Sequence, residues 1–258
     1  MFDVAPRPYG TLHLAFIIAI ACMCIIAGRL STRHDRDLVE KWIGATGVFM
    51  LAAEIAKQIF CYVVVGGTYP IYEIPLELCS TSMYVAAALP FVSEKGKAAC
   101  LAYLPTFGTV GAIAALMFPF GMMGDYIFLT LHSFVYHGLM LVVAVLAASS
   151  FVRIDYKSGV FKNALVICLC FAAAAEMVNV CLYLASNGAL RPNLFYISPW
   201  VECEQPVFST ISQTFGHAFE IAFYLAVIIA VAAVFYAVLI VIRKEMNFGH
   251  EESPEDRL

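Results

Sequence analysis

A cysteine, several histidines and a set of carboxylates interrupt otherwise apolar runs in this chain, and a thiol beside an imidazole is the smallest set that performs nucleophilic acyl transfer. Cys79 stands in Ile74-Pro-Leu-Glu-Leu-Cys79-Ser-Thr-Ser-Met. Pro75 suits the first turn of a helix, where its missing N–H is not needed, and this places Cys79 near the positive end of that helix. Such a field, together with a nearby imidazole, favours the thiolate form. His137, in Phe134-Val-Tyr-His137-Gly138, is the candidate base, with Gly138 allowing a neighbouring chain to approach that face closely.

The remaining polar side chains fall into helical spacings. Glu54, Lys57 and Gln58 stand at i, i+3 and i+4, Glu176 and Asn179 at i and i+3, and Gln213, His217 and Glu220 at i, i+4 and i+7, so each set shares one helix face. His132 and His137 do not share a face well, and His132 is the one expected to bond a neighbouring helix. Ionisable groups in hydrocarbon cost about 2.5–3.5 kcal/mol each even on the translocon-insertion scale. These side chains are therefore expected to face one shared internal cavity rather than lipid. Counted along each helix at about 1.5 Å per residue, all of them fall between one interface and the midplane. Glu77, Ser80 and Thr81 flank Cys79 in the same slab. The simpler alternative, a buried ion pair that only holds helices together, is strongest for Glu54–Lys57.

The elements that must position these groups are membrane helices. Of 258 residues, 62% are hydrophobic and 13% are charged, against about 25% charged in soluble domains. That composition excludes an ordinary soluble enzyme and makes the chain an all-α polytopic membrane protein. Seven apolar stretches, near 12–28, 44–65, 75–92, 98–118, 126–150, 163–186 and 210–242, are each read as one transmembrane helix, since about 20 helical residues cross the hydrocarbon core. The alternation of a transmembrane β-barrel is absent. Residues 1–246 are read as one seven-helix domain and 247–258 as a polar, disordered cytoplasmic tail.

Basic residues set the orientation. Arg29, Arg33, Arg36 and Lys41, then Lys95 and Lys97, then Arg153, Lys157 and Lys162, then Arg243, Lys244 and Arg257 fall in alternate connections and hold 12 of the 15 basic residues. The N-terminus is expected outside and the C-terminus in the cytoplasm, which puts the polar slab in the outer half of the membrane. Apart from Cys79, most of the nine cysteines are read as small apolar fillers and not as a disulfide framework. Residues 187–209 form a long outer connection of the kind that serves as a rim or lid, with Pro199 and Trp200 suited to interfacial anchoring. Close glycine steps such as Gly44–Gly47 and Gly108–Ala112 suit helix packing.

Four short blocks carry a family resemblance. Ile74-Pro-Leu-Glu-Leu-Cys79 is similar to the Leu-Pro-Leu-His-Leu-Cys motif of the YwaF-type bacterial membrane proteins, a family that also contains transmembrane protein 164 of animals. Gly111-Ala-Ile-Ala-Ala-Leu-Met-Phe-Pro119 resembles its Gly-Ala…Ala-Leu…Thr-Pro segment. Phe134-Val-Tyr-His137-Gly138 resembles its Phe-x-x-His-Gly step, and Asn179–Trp200 its Asn-Tyr…Leu…Pro…Gly-Pro-Trp stretch. The blocks stand in the same order and span about residues 44–225. Glu77 stands where the motif has His, Phe118 where Thr is usual before the Pro, and Ser198 where Gly precedes Pro-Trp. The resemblance implies a cysteine-centred acyltransferase acting on phospholipid acyl chains, with Cys79 as nucleophile and His137 as base. A membrane phospholipid would be the donor and a lysolipid the acceptor, with no cofactor, no metal and no nucleic-acid partner.

In that reading the oxyanion donors are sought in Asn179 and in the hydroxyls of Ser80 and Thr81. Glu176 or Glu220 is expected to orient the imidazole, as a carboxylate does in hydrolase triads. Two other classes use the same residues. A proton-coupled transporter of small solutes would bind its cargo in the cavity and relay protons through Glu54, Lys57 and Glu176. A membrane-embedded zinc hydrolase would use His132, His137 and His217 with a carboxylate, although these histidines lack an i, i+4 pair. A retinal photoreceptor is disfavoured, since no lysine lies in the core of the last span.

Overall fold

The computed structural model of the chain describes residues 7–66, 71–154, 159–203 and 206–251. Lys157 and Arg257 of the charge pattern, and residues 252–258 of the expected tail, lie outside these. The described residues form helices and connections without a strand. In chain order the helices are α1 (Thr11–Ser31), α2 (Arg36–Phe60), α3 (Thr81–Ala88), α4 (Glu94–Tyr103), α5 (Thr109–Met117), α6 (Ile127–Phe151), α7 (Val160–Ala185), α8 (Pro206–Phe215) and α9 (His217–Glu251). Asp35 starts α2 by accepting the Leu38 N–H at 2.9 Å, a side-chain cap for one of the orphan donors of a helix start.

Six helical stretches are long and apolar enough to cross a membrane: Thr11–Ser31, Arg36–Gly66, Glu94–Met117, Ile127–Phe151, Val160–Ala185 and His217–Met246. They make the chain a multi-pass integral membrane protein. The stretch expected as the third span differs in kind. A 3₁₀ turn at Ile71–Glu73 leads into an irregular segment, and helix begins only at Thr81, running with a terminal 3₁₀ turn to Phe91. Pro75 therefore does not sit in a helical first turn, and Cys79 lies just before the helix rather than a turn inside it. Leu78 in this segment is buried and its neighbours from Glu73 to Ser80 are partly buried.

The last stretch departs from expectation as well. Gly216 adopts φ +90° and separates α8 from α9, a left-handed conformation that glycine takes without steric cost. The break ends the shared face expected for Gln213, His217 and Glu220. Gln213 is exposed on α8, whereas Glu220 is buried on α9. Helix α9 runs on to Glu251, into the segment expected to be a disordered tail.

Helices α4 and α5 form the centre of the bundle. They are joined by a π-helical turn, Leu104–Gly108, into one stretch that is 67% buried, against 17% for α1, α2 and α9. Pro105 causes the turn, since it has no N–H for the preceding carbonyls. The Thr106 hydroxyl donates to the Ala102 carbonyl at 2.6 Å nearby. The outer helices show lipid-facing apolar surfaces instead, as at Ile18, Val63, Met177 and Val234. Helix α3 is wedged against α2 through glycines. A Cβ on Gly44 would lie 2.6 Å from Pro90 Cγ, and one on Gly47 would strike the backbone of Ala86 and Ala87. Close approach of this kind is what small residues supply in membranes, where hydrophobicity does not press helices together.

The connections rich in basic residues meet at one end of the bundle. Arg36 lies 3.2 Å from Glu40, Lys97 lies 3.5 Å from Glu40 and 2.9 Å from Glu94, and the Arg153 guanidinium donates to the His34 carbonyl at 2.8 Å. The polar residues of interest gather toward the other end.

Candidate active site

The segment carrying Cys79 is held by three tyrosines from three helices. Tyr84 donates to the Pro75 carbonyl at 3.0 Å, Tyr136 donates to the Ser80 carbonyl at 3.4 Å, and the Tyr103 hydroxyl shares a 2.6 Å hydrogen bond with that of Thr81. Thr81 also donates to the Leu78 carbonyl at 2.6 Å. A buried backbone without helical partners needs such bonds, and a buried tyrosine needs an outlet for its hydroxyl. On the α5 side, a Cβ on Gly111 would lie 3.1 Å from both Cα and N of Cys79. Only glycine allows this approach without displacing the cysteine backbone. The thiol itself is half-buried. The Ser80 hydroxyl faces it. The first N–H groups of α3 follow directly, so Cys79 keeps the positive helix end that the sequence suggested, from a position outside the helix.

His137 is buried on α6. Its Nδ1 lies 2.7 Å from the Ser133 carbonyl, and its Nε2 is enclosed without a hydrogen-bond partner. A carbonyl only accepts, so the neutral ring carries its proton on Nδ1 and a free lone pair on Nε2. The orienting group is thus a backbone carbonyl on the same helix and not Glu176 or Glu220. Gly138 admits α1, since a Cβ there would meet Ile20 Cγ1 at 2.9 Å. No hydrogen bond joins the Cys79 sulfur to the His137 ring. Tyr136 connects the Cys79 segment to α6: its ring packs edge-on to His137 at 5.7 Å while its hydroxyl reaches the Ser80 carbonyl.

The other polar residues do not form one open cavity lining; they divide into two bonded sets. In the first, Lys57 lies 2.9 Å from both Glu54 and Glu73, Gln58 donates to Glu54 and to the Glu73 carbonyl, and His132 Nε2 stands 3.7 Å from Glu54. This set ties α2, the 71–73 turn and α6 together. Removing one partner from a buried set of this kind costs about 3–5 kcal/mol.

The second set straps residues 186–203 of the long connection into the bundle. Asn179 donates to the Leu194 carbonyl at 3.1 Å and to Glu176 at 3.1 Å, and accepts the Leu194 N–H at 2.9 Å. Glu77 accepts the Phe195 N–H at 3.0 Å. His217 bridges the Ser198 carbonyl at 2.8 Å and Glu220 at 2.7 Å. These bonds hold Phe195 and Tyr196 at φ +61° and +56°, a conformation worth about 1–3 kcal/mol of strain per residue. Phe195 is fully buried as a result. Trp200 stacks on Tyr183 at 3.8 Å. Both amide hydrogens of Asn179 are occupied, which removes it from the oxyanion donors. Asn179→Leu is expected to leave the Leu194 N–H and C=O unpaired and to cost on the order of 2–6 kcal/mol. The readout is a lower Tm in detergent together with new protease cleavage between residues 186 and 203; wild-type values for both would show that the strap lies elsewhere.

Tyr84, Tyr103, Tyr136, Ser133 and Gly111 were not anticipated as site residues. Gly111 and Tyr136 lay inside blocks of the family resemblance, which was the available signal. Tyr84 and Tyr103 look like any aromatic residue in an apolar run. Among the described residues no group of three or more His, Cys, Asp or Glu side chains is arranged to hold a metal ion. His132, His137 and His217 are each turned to a different partner. Neither the curated proteins nor the solved structures give a match to this chain. The model of the TMEM164 family does match, over residues 8–240, and the chain, with the cysteine and histidine segments both inside that match, belongs to the TMEM164 family.

Proposed function

We propose that this protein is an integral membrane acyltransferase that moves an acyl chain from a phospholipid to a lysolipid through Cys79, with His137 as base. The observation that carries the reading is the free lone pair on His137 Nε2, buried and directed by a fixed Nδ1, on the helix whose Tyr136 touches the Cys79 segment. In the first half-reaction His137 takes the thiol proton. The sulfur attacks the ester carbonyl carbon, the C–S bond forms, the ester C–O bond breaks, and the departing lysolipid oxygen takes the proton from His137. In the second, the acceptor hydroxyl gives its proton to His137 and attacks the thioester. The C–S bond then breaks, and the proton returns to sulfur. The Ser80 hydroxyl beside the thiol is the donor offered to the oxyanion, since the Tyr136 and Thr81 hydroxyls already donate to the Ser80 and Leu78 carbonyls. The reaction requires Nε2 to reach the thiol in the substrate complex, where catalytic hydrogen bonds often tighten.

Seven passes follow if the 71–91 stretch crosses the membrane within the protein, with the N-terminus outside and the basic end in the cytoplasm. The site then faces the outer leaflet, and the donor lipid approaches laterally. The transporter alternative draws less support, because Lys57 and Glu176 are already engaged with neighbours in separate sets. The zinc hydrolase alternative lacks a convergent ligand set among the described residues.

The direct test is isolation of the covalent intermediate. Full-length protein in phospholipid vesicles, quenched in acid and digested, is expected to carry an acyl group on the Cys79 peptide, released by neutral hydroxylamine as a thioester is. Lipid turnover without this adduct, or with the acyl group on another cysteine, overturns the proposal.

A further inference from the structure

At the basic end of the bundle, α3, α4 and α7 enclose a cleft of about 580 Å³. Its walls include Val85, Ala88, Val92, Ala99, Val166 and Ile167. Tyr84 and Phe171 close its deep end, with their rings stacked 5.8 Å apart. From Asn163 at the mouth to Phe171 the cleft follows α7 for about 12 Å at the helical rise. Lys95 and Asn163 stand at the mouth and are exposed. Arg36 and Lys97 at the same end are engaged by Glu40 and Glu94, whereas neither Lys95 nor Asn163 has a side-chain hydrogen bond or ion pair among the described residues.

We propose that this cleft is a binding site for one acyl chain of an anionic phospholipid, with the phosphate held by Lys95 and Asn163 and the chain lying along α4 toward Tyr84 and Phe171. The walls are apolar, and the cleft opens between span-length helices, where lipid and not water is the available neighbour. An ammonium at the mouth of an apolar slot complements a phosphate at the head of an apolar chain. The mouth lies at the end of the bundle away from Cys79, and the occupant is a resident lipid and not the acyl donor. It still bears on the catalytic segment, because the Tyr84 ring that ends the cleft is the one whose hydroxyl holds the Pro75 carbonyl. Binding here does not depend on the acyltransferase reading.

The test uses full-length protein in nanodiscs that contain phosphatidylglycerol with a diazirine at the end of one acyl chain, compared with the matching phosphatidylcholine. After illumination, adducts are expected on the peptides bearing Tyr84 and Phe171, with about fivefold more from phosphatidylglycerol, the factor that one lysine contact to an anionic lipid supplies. Ala99→Trp fills the cleft and removes these adducts while sparing those on α9. Lys95→Ala, a surface change that leaves folding intact, lowers the phosphatidylglycerol yield to that of phosphatidylcholine. Equal labelling by the two lipids, no excess on α3 and α7 over α9, or labelling unchanged in Lys95→Ala each overturns the proposal.

Discussion

Cys79→Ala is expected to abolish acyl transfer in reconstituted vesicles while the protein still inserts and folds. Loss of a nucleophile that forms a covalent intermediate lowers turnover by roughly 10³-fold or more. The structural cost is small for a physical reason. The contacts that fix this position are made to backbone: Gly111 against Cα and N, Tyr84 to the Pro75 carbonyl, Tyr136 to the Ser80 carbonyl. A methyl group in place of a half-buried thiol leaves all of these in place. Initial rates of labelled acyl movement from phospholipid to lysolipid give the first readout, and Tm in detergent gives the second. Rates near wild type in the alanine variant would reject Cys79 as nucleophile. A large fall in Tm would instead show that the thiol packs as a structural group.

His137→Gln is expected to lower turnover by about 10²–10⁴-fold, the usual contribution of a positioned general base. Glutamine can keep a donor toward the Ser133 carbonyl, so the helix loses little, but it has no basic nitrogen to replace Nε2. The variant therefore separates chemistry from packing. Alkylation of Cys79 by a lipid-like maleimide should slow in parallel, because that reaction also needs thiolate but needs no acyl acceptor. Turnover within a few-fold of wild type would place the base elsewhere. His132 is the natural comparison. It belongs to the Glu54–Lys57–Glu73 set, and His132→Gln is expected to change Tm more than rate.

Much of the architecture was legible because membranes restrict what a chain can do. A run such as Ile221–Ile242 has no option but helix in hydrocarbon, and six of the expected stretches appear as span-length helices, the largest offset being the second, which starts at Arg36 instead of 44. The third stretch was misread for an equally physical reason. Hydropathy counts side chains, and residues 74–80 are apolar enough for helix; the tyrosine hydroxyls that let this backbone stay irregular come from three different helices, α3, α4 and α6, whose convergence hydropathy does not record. The face shared by Gln213, His217 and Glu220 failed because one glycine, Gly216, can turn a helix without leaving a mark on hydrophobicity.

Residue chemistry, then, could be read from the chain itself: which side chains are too polar to face lipid, and that a thiol and an imidazole lie among them. Partnership could not. A buried Asn, Glu or His is equally at home lining a substrate pocket or bonding a backbone carbonyl, and only the packed bundle decides which. It assigned Asn179, Glu77 and His217 to the strap that holds residues 194–198, Glu54 and Lys57 to a brace between α2 and the 71–73 turn, and left the Nε2 of His137 without a partner. The reason is that hydrogen bonds depend on ångström-scale geometry between segments on different elements, from 15 residues apart for Asn179 and Leu194 to 118 for Glu77 and Phe195, whereas burial in a membrane depends mainly on local composition.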